Sequence, residues 1–232
     1  MEQVQLSQPA PFVLASIAAS YPDEGYAESM RMVMEDGEVS LPESLRSKIL
    51  ERLKSDELLD GLRSEYIEIF DTGRGSNPLY ETEYGRDRAM FKANELADLS
   101  GFYKAFGFER QDDPAARDMI DHVAIELEFY ALLVMKQHAL EEGGNKEGSE
   151  IVLDARKKFL DAHLGRYLDA LCRRPGIEGH NYYSEIFAWC RDLVNEECRL
   201  LGVAPRLTTW LSSQVEGEEI TCGGRTGACL PT

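Results

Sequence analysis

A helix interior tolerates proline less than any other residue, because the ring removes a backbone donor and collides with the preceding turn. In this 232-residue chain the nine prolines stand at positions 9, 11, 22, 42, 78, 114, 175, 205 and 231. The intervals 43–77, 79–113 and 115–174 contain none. Apolar residues recur there every three or four positions, and alternating β-branched runs are scarce, which is the pattern of amphipathic helices. The chain is therefore predicted to be all-α, with its prolines at element boundaries.

Local start and stop signals divide these intervals. Ser40 with Glu43 reads as a capping box opening a helix to about residue 55, with Pro42 in its first turn. The next helix is expected over 56–70, its apolar stripe made by Leu58, Leu59, Leu62, Tyr66, Ile69 and Phe70. Residues 71–85 are rich in turn formers and read as a loop. Helix resumes over 87–106, with a break at Ser100-Gly101. Asp113-Pro114 is an N-cap and N1 pair, predicting a central helix from there to Gly143-Gly144 that is apolar around most of its circumference. Further helices are expected over 148–171 and 179–201, the latter closed by Gly202 and Pro205, and a short one over 207–214. The polar stretch 110–114 reads as a hinge within one unit spanning 1–216, and 217–232 as a flexible tail.

Charge narrows the partners. Forty-two Asp and Glu oppose 25 Lys and Arg, a net charge of −17. Such a field repels nucleic acid and anionic membrane surfaces and attracts a basic partner, although solubility alone also accounts for it. No apolar run reaches membrane-spanning length, and the N-terminus lacks the basic region and arginine pair of an export signal. Five cysteines, Cys172, Cys190, Cys198, Cys222 and Cys229, are odd in number and irregular in spacing, which fits reduced thiols in a cytoplasm. Cys222 and Cys229 make at most half a zinc site or a labile disulfide.

The usual enzyme signatures are missing: no P-loop, G-x-G-x-x-G, G-x-S-x-G, C-x-x-C or H-E-x-x-H occurs. The four histidines are scattered. Two places carry potential chemistry. Asp118, His122 and Glu126 fall at i, i+4 and i+8 of the expected central helix, with Asp121 beside His122. A metal there needs further donors, a histidine–carboxylate pair tying two helices needs none, and a cationic ligand facing Asp121 and Glu126 is the third reading. The loop Pro78, Leu79, Tyr80, Glu81, Thr82, Glu83, Tyr84 is aromatic and acidic. It suits either an ordered connection whose tyrosines plug the core or capture of an extended basic peptide.

Taken together these residues resemble the TorD/DmsD/NarJ family of cytoplasmic chaperones, the redox enzyme maturation proteins. Tyr66, Ile69 and Phe70 resemble the end of the family's aromatic helix. Pro78, Leu79, Tyr80, Glu81, Thr82 and Tyr84 resemble its Pro-Pro-Tyr-Glu-Ser-x-Tyr loop. Asp118, Asp121, His122, Glu126, Leu127 and Phe129 resemble its Glu-x-Pro-Asp-His-x-x-x-Glu-Leu-x-Phe element. Leu79 and Ile120 replace two of the family's prolines, and Asp118 replaces its Glu; with Ile120 the helix is expected to run straight through. The resemblance covers 10–205 and implies a TorD-like bundle of eight to ten helices without catalytic activity or cofactor, a monomer or domain-swapped dimer.

The implied partner is the precursor of a molybdopterin-containing oxidoreductase of the dimethyl sulfoxide reductase type, bound through a basic twin-arginine leader until cofactor insertion. On this reading Tyr80, Glu81 and Tyr84, on a loop opened by Pro78, contact peptide. Asp121 and His122 form the polar end of a groove, Glu126 orients His122, and Tyr66 and Phe70 form the apolar wall. Two alternatives remain: a NarJ-like factor gripping the body of a cytoplasm-facing reductase, and a metal- or nucleotide-dependent helical enzyme.

Overall fold

The computed structural model describes residues 7–36, 39–71, 77–85, 88–109, 119–174, 176–179 and 181–209. Among these, nine α-helical segments are present and no strand: α1 (Ala10–Ala19), α2 (Tyr26–Asp36), α3 (Glu43–Arg52), α4 (Asp56–Tyr66), α5 (Arg88–Ala105), α6 (Val123–Glu142), α7 (Lys146–Phe159), α8 (Gly165–Cys172) and α9 (Tyr182–Leu201). The proposed hinge at 110–114, Asp118, and the tail 217–232 with Cys222 and Cys229 lie outside the described residues.

The two most apolar helices form the centre. α1 packs on α6 and also touches α2 and α9, α6 packs on α7, and α8 lies along α9. The buried faces supply Phe12, Leu14, Phe129, Tyr130, Phe159, Tyr167, Tyr183 and Phe187 to one continuous core. Ser16 on α1 donates to the Ala124 carbonyl at 2.8 Å, satisfying a polar group in the α1–α6 contact.

Several helix ends follow the sequence signals. Ser55 caps α4, its side chain accepting from the Leu58 N–H at 3.4 Å. Asn181 and Ser184 form a reciprocal capping box on α9, and Gly202 closes that helix in the left-handed region at φ 66°. Other boundaries differ. α3 begins at Glu43 with Pro42, which has no side-chain acceptor, in the N-cap place instead of Ser40. α5 runs unbroken through Ser100-Gly101. Residues 207–209 are not helical, and the rest of the short helix expected over 207–214 is outside the described residues.

Residues 148–171 do not make a single regular helix. α7 widens into a π-helical turn, Leu160–Leu164, before α8 begins at Gly165. Glycine is required at that junction: a Cβ there would lie 2.5 Å from the Leu160 carbonyl oxygen and 2.7 Å from Pro205 Cγ.

The largest departure concerns α6. It starts at Val123, and residues 119–122 are not helical, so the helix does not run through Ile120. The backbone groups that would continue it are taken by tertiary partners: the Ile120 carbonyl accepts from the Tyr103 hydroxyl at 2.8 Å and the Asp121 carbonyl from the Glu81 N–H at 2.9 Å. His122 is therefore the N-cap residue, with extended backbone (φ −74°, ψ 137°), and not a mid-helix position spaced i, i+4 from its neighbours.

One buried ionic network ties four elements together. Arg156 on α7, 1% exposed, pairs with Glu197 on α9 and donates to Gln137 Oε1 at 2.5 Å and Ser7 Oγ at 3.1 Å. Tyr130 donates to Glu197 Oε1 at 2.6 Å, and Ser7 to Glu197 Oε2 at 2.5 Å. Removing one member of such a pair strands the other charge in the core. Glu197→Ala is expected to destabilise the fold by about 3–5 kcal/mol in urea titrations. Arg156→Met combined with Glu197→Leu should recover most of that loss.

Candidate functional site

The segment 77–85 is built in layers upon the head of α6. Asn77 fixes its start, donating to the Ile69 carbonyl at 2.9 Å and accepting from the Gly176 N–H at 3.2 Å. The Val123 N–H donates to the Leu79 carbonyl at 2.9 Å, and the Glu81 N–H to the Asp121 carbonyl at 2.9 Å, so residues 79–81 run antiparallel to 121–123. Thr82 donates to Asp121 Oδ2 through its hydroxyl at 2.6 Å and its N–H at 3.3 Å. Tyr84 donates to the Pro78 carbonyl at 2.7 Å, closing the loop. Gly85 turns the chain at φ 104°, where a side chain would be strained, and donates to the Thr209 carbonyl.

This pairing buries a dense set of acids. Glu81 is 4% exposed, and Asp121 and Glu126 are fully buried. Each carboxylate has one oxygen held by the protein. His163 Nδ1 lies 3.0 Å from Glu81 Oε2, Thr82 binds Asp121 Oδ2, and Tyr167 donates to Glu126 Oε1 at 3.1 Å. The other oxygens, Glu81 Oε1, Asp121 Oδ1 and Glu126 Oε2, have no hydrogen-bond partner among the described residues. Buried polar atoms are satisfied in the great majority of cases, so three such atoms on neighbouring acids mark this place apart from an ordinary core.

Electrostatics follow from that geometry. Burial, and then the charges of Glu81 and Asp121, hold the Glu126 carboxyl well above the ordinary value, even though the Tyr167 hydrogen bond acts the other way. Glu95 is likewise raised by burial and by Glu81. Burial alone would lower His163, but its hydrogen bond to Glu81, the Glu81 charge and Asp98 outweigh this and raise it above 6.5. His163 Nε2 lies 3.1 Å from Asp98 Oδ2, whose side chain is 62% exposed, so the imidazole links the buried acids to the surface.

The surface it reaches is an open groove of about 830 Å³ between α5 and the turn leading into α8, with Phe91, Glu95, Asp98, Asp161, His163 and Arg206 among its walls. Phe91, at its edge, is an exposed apolar residue, as is Met90 before it in the chain. Among the described residues no group of three or more His, Cys, Asp or Glu is arranged to hold a metal ion, and no helix is long and apolar enough to cross a membrane.

Of the residues singled out in the sequence, Pro78, Tyr80, Glu81, Tyr84, Asp121, His122 and Glu126 come together here. Tyr80 is half-buried, its ring edge-on to His122 with centroids 5.2 Å apart. Tyr84 is buried, and burial raises its hydroxyl pKa. His122 Nδ1 accepts from the Ala124 N–H at 3.2 Å, capping α6. Tyr66 and Phe70 sit elsewhere, in an aromatic cluster with Tyr183 and Phe187 at centroid distances of 4.8–5.8 Å. Sequence reasoning passed over His163, Asp98, Glu95 and Tyr167. The available signal was a histidine among Phe159, Leu160, Leu164 and Tyr167, a stripe that is otherwise apolar or aromatic.

An all-helical bundle with a buried acidic cluster under an aromatic loop is the class of protein this geometry defines. Residues 38–173 match the family described as nitrate reductase delta subunit, and the chain belongs to that family. Two curated relatives are similar over part of their length. The chain is 33% identical over 132 residues to a selenate reductase assembly chaperone protein of Thauera selenatis, a match covering 55% of this chain and 65% of the relative. It is 33% identical over 110 residues to a chlorate reductase assembly chaperone protein of Ideonella dechloratans, covering 46% and 53% respectively. The matches thus span between half and two thirds of those relatives. No solved structure matches.

The raised Glu126 carboxyl has a measurable consequence. An acid whose folded-state pKa lies above its unfolded value keeps its proton longer in the folded protein, so stability falls as pH rises from the unfolded value through the folded one. Glu126→Gln is therefore expected to raise the urea midpoint at pH 7, and the gain should shrink as pH falls toward 4.5. A lower midpoint for the variant at pH 7 would contradict the buried-acid assignment.

Proposed function

We propose that this chain is an assembly chaperone, not a catalyst, for the catalytic subunit of a molybdopterin-containing oxidoreductase of the dimethyl sulfoxide reductase type. It acts in the cytoplasm, holds the precursor through a basic twin-arginine leader until the cofactor is inserted, and releases it for export. The observation that carries this reading is family membership over 38–173, together with two relatives whose names are reductase assembly chaperones. The net charge of −17 suits a basic segment, and the groove beside Phe91 offers apolar surface next to exposed carboxylates. Tyr80 and the groove residues Phe91, Asp98 and Asp161 lie within reach of a bound segment. Glu81 and Asp121 set a negative potential beneath them, beside His122 at the head of α6 and the buried Glu126 carboxyl.

The family's description, nitrate reductase delta subunit, favours a second reading in which the chain grips the body of a cytoplasm-facing reductase.

Affinity capture of the tagged chain from its host, with mass spectrometry, tests both. The leader reading expects a molybdoenzyme catalytic subunit with its leader uncleaved, and Phe91→Ser with Asp161→Lys, both on the groove wall, should reduce its recovery by about tenfold with an unchanged melting temperature. Capture of the mature body alone would transfer the assignment to the second reading. Recovery of no oxidoreductase while one is being made would overturn both.

A further inference from the structure

We propose that the groove between α5 and the turn into α8 is gated by a single proton: the His163–Asp98 ion pair joins its two walls and parts when the imidazole becomes neutral. That a segment of bound precursor then enters the deepened groove rests on the chaperone reading; the gate itself does not.

Three observations carry the gate. First, both partners line the groove from opposite sides, Asp98 on α5 and His163 on the π-helical turn, with 3.1 Å between Nε2 and Oδ2. Second, the other ring nitrogen, Nδ1, lies 3.0 Å from Glu81 Oε2. A neutral imidazole carries one N–H and one lone pair, so it answers only one of two facing carboxylates, and both contacts together require the imidazolium. Third, the two partners differ in burial, Glu81 being 4% exposed and the Asp98 side chain 62%. When the proton leaves, the remaining N–H therefore stays on Nδ1, since stranding the buried Glu81 carboxylate costs more than releasing Asp98 to water. Phe102 and Phe159 pack on the ring at centroid distances of 5.6 and 5.3 Å, so the group that moves is Asp98.

A second ion pair joins the same walls one helical turn away, Arg166 Nη1 lying 3.8 Å from Glu95 Oε1. The two pairs respond to pH in opposite senses. Burial lowers His163, but its bond to Glu81, the Glu81 charge and Asp98 outweigh this and raise it above 6.5. Its pair with Asp98 is therefore complete below the raised value and is lost as pH climbs through it. Burial, and then Glu81, raise the Glu95 carboxyl, so the Arg166 pair survives that climb and fails only toward acid. Thus α5 stays attached at Glu95 while the groove deepens at Asp98. The other charges near the imidazole are Asp161 on its own turn and Arg206 beyond α9, both on the groove wall. Behind Glu81 stand Asp121 and Glu126, the latter bonded by Tyr167 of α8, and α9 presents the Cys198 thiol to Asp161.

The test uses the full chain with histidine- and alanine-selective isotope labels, His163 and Ala162 being assigned with His163→Gln and Ala162→Ser. Ala162, half-buried on the groove wall, reports access through relaxation of its methyl by a neutral, soluble nitroxide. His163 is expected to be an imidazolium at about pH 6 and to become the Nδ1–H tautomer on titrating above 6.5. Access to Ala162 should rise with the same midpoint, while the partly buried Ala27 on α2 shows no step. Asp98→Ala should lower the His163 midpoint by about one pH unit and leave Ala162 accessible throughout. A neutral His163 at about pH 6, access that is flat through its titration, or a step that survives Asp98→Ala overturns the gate.

Capture of reductase from host lysate at about pH 6 and about pH 8 separates the gate from the chaperone reading. The unaltered chain should capture more at the higher pH, and Asp98→Ala equally at both. If access steps and no reductase is captured at either pH, the gate stands and the chaperone reading falls. If reductase is captured while access stays flat, the gate alone falls. Equal capture by the unaltered chain at both, with the step present, overturns entry of the precursor through this groove.

Discussion

Residues 79–82 lie antiparallel to 121–123, with two backbone hydrogen bonds of 2.9 Å and a doubly bonded Thr82–Asp121 contact. Much of the rest depends on this short pairing. It ends the non-helical run at His122 and fixes the start of α6, the helix against which α1 and α7 pack. It also carries Glu81 and Asp121 out of water to meet Glu126 on the first turn of α6. A tertiary contact between segments some forty residues apart thus sets both the register of the central helix and the composition of the site.

Two buried polar clusters in the same fold show contrasting designs. Around Arg156 opposite charges meet, and Glu197, Gln137, Tyr130 and Ser7 answer its donors, so the network holds α6, α7, α9 and the N-terminal segment together. Around Glu81 like charges meet, and three oxygens go unanswered among the described residues. Such an arrangement costs stability, because desolvated acids repel one another, and the raised Glu126 and Glu95 carboxyls are the sign of it. A fold that satisfies one polar cluster so fully has no architectural need for the other. The strain is consistent with selection for binding.

The helical class, the closure of α9 at Gly202 and the end of α6 near Gly143 were legible because they rest on local chemistry: proline exclusion, apolar periodicity and glycine caps. The start of α6 was not, because the competing partners of its backbone come from residues 79–81 and from Tyr103, distant in sequence. The π-helical turn at Leu160–Leu164 was hidden for a similar reason: an apolar stripe looks the same whether the helix is regular or widened, and the demand for Gly165 comes from Pro205 packing over it. Within the site, the family-like residues of the 78–84 loop and α6 were found by pattern. His163 was not, since an isolated histidine on a buried stripe gains meaning only once Glu81 and Asp98 are seen on either side.

On the proposed function, the acidic groove edged by Phe91 is the place where a reductase precursor would be held. The most direct measurement is to replace Phe91 with the photo-cross-linker p-benzoylphenylalanine in the host and irradiate cells while the reductase is being made. The expected product joins this chain to the N-terminal leader of a molybdoenzyme catalytic subunit, and a cross-linker placed at exposed Ile151 on α7 gives none. Equal yields from both positions, or cross-links that reach no oxidoreductase, would contradict it.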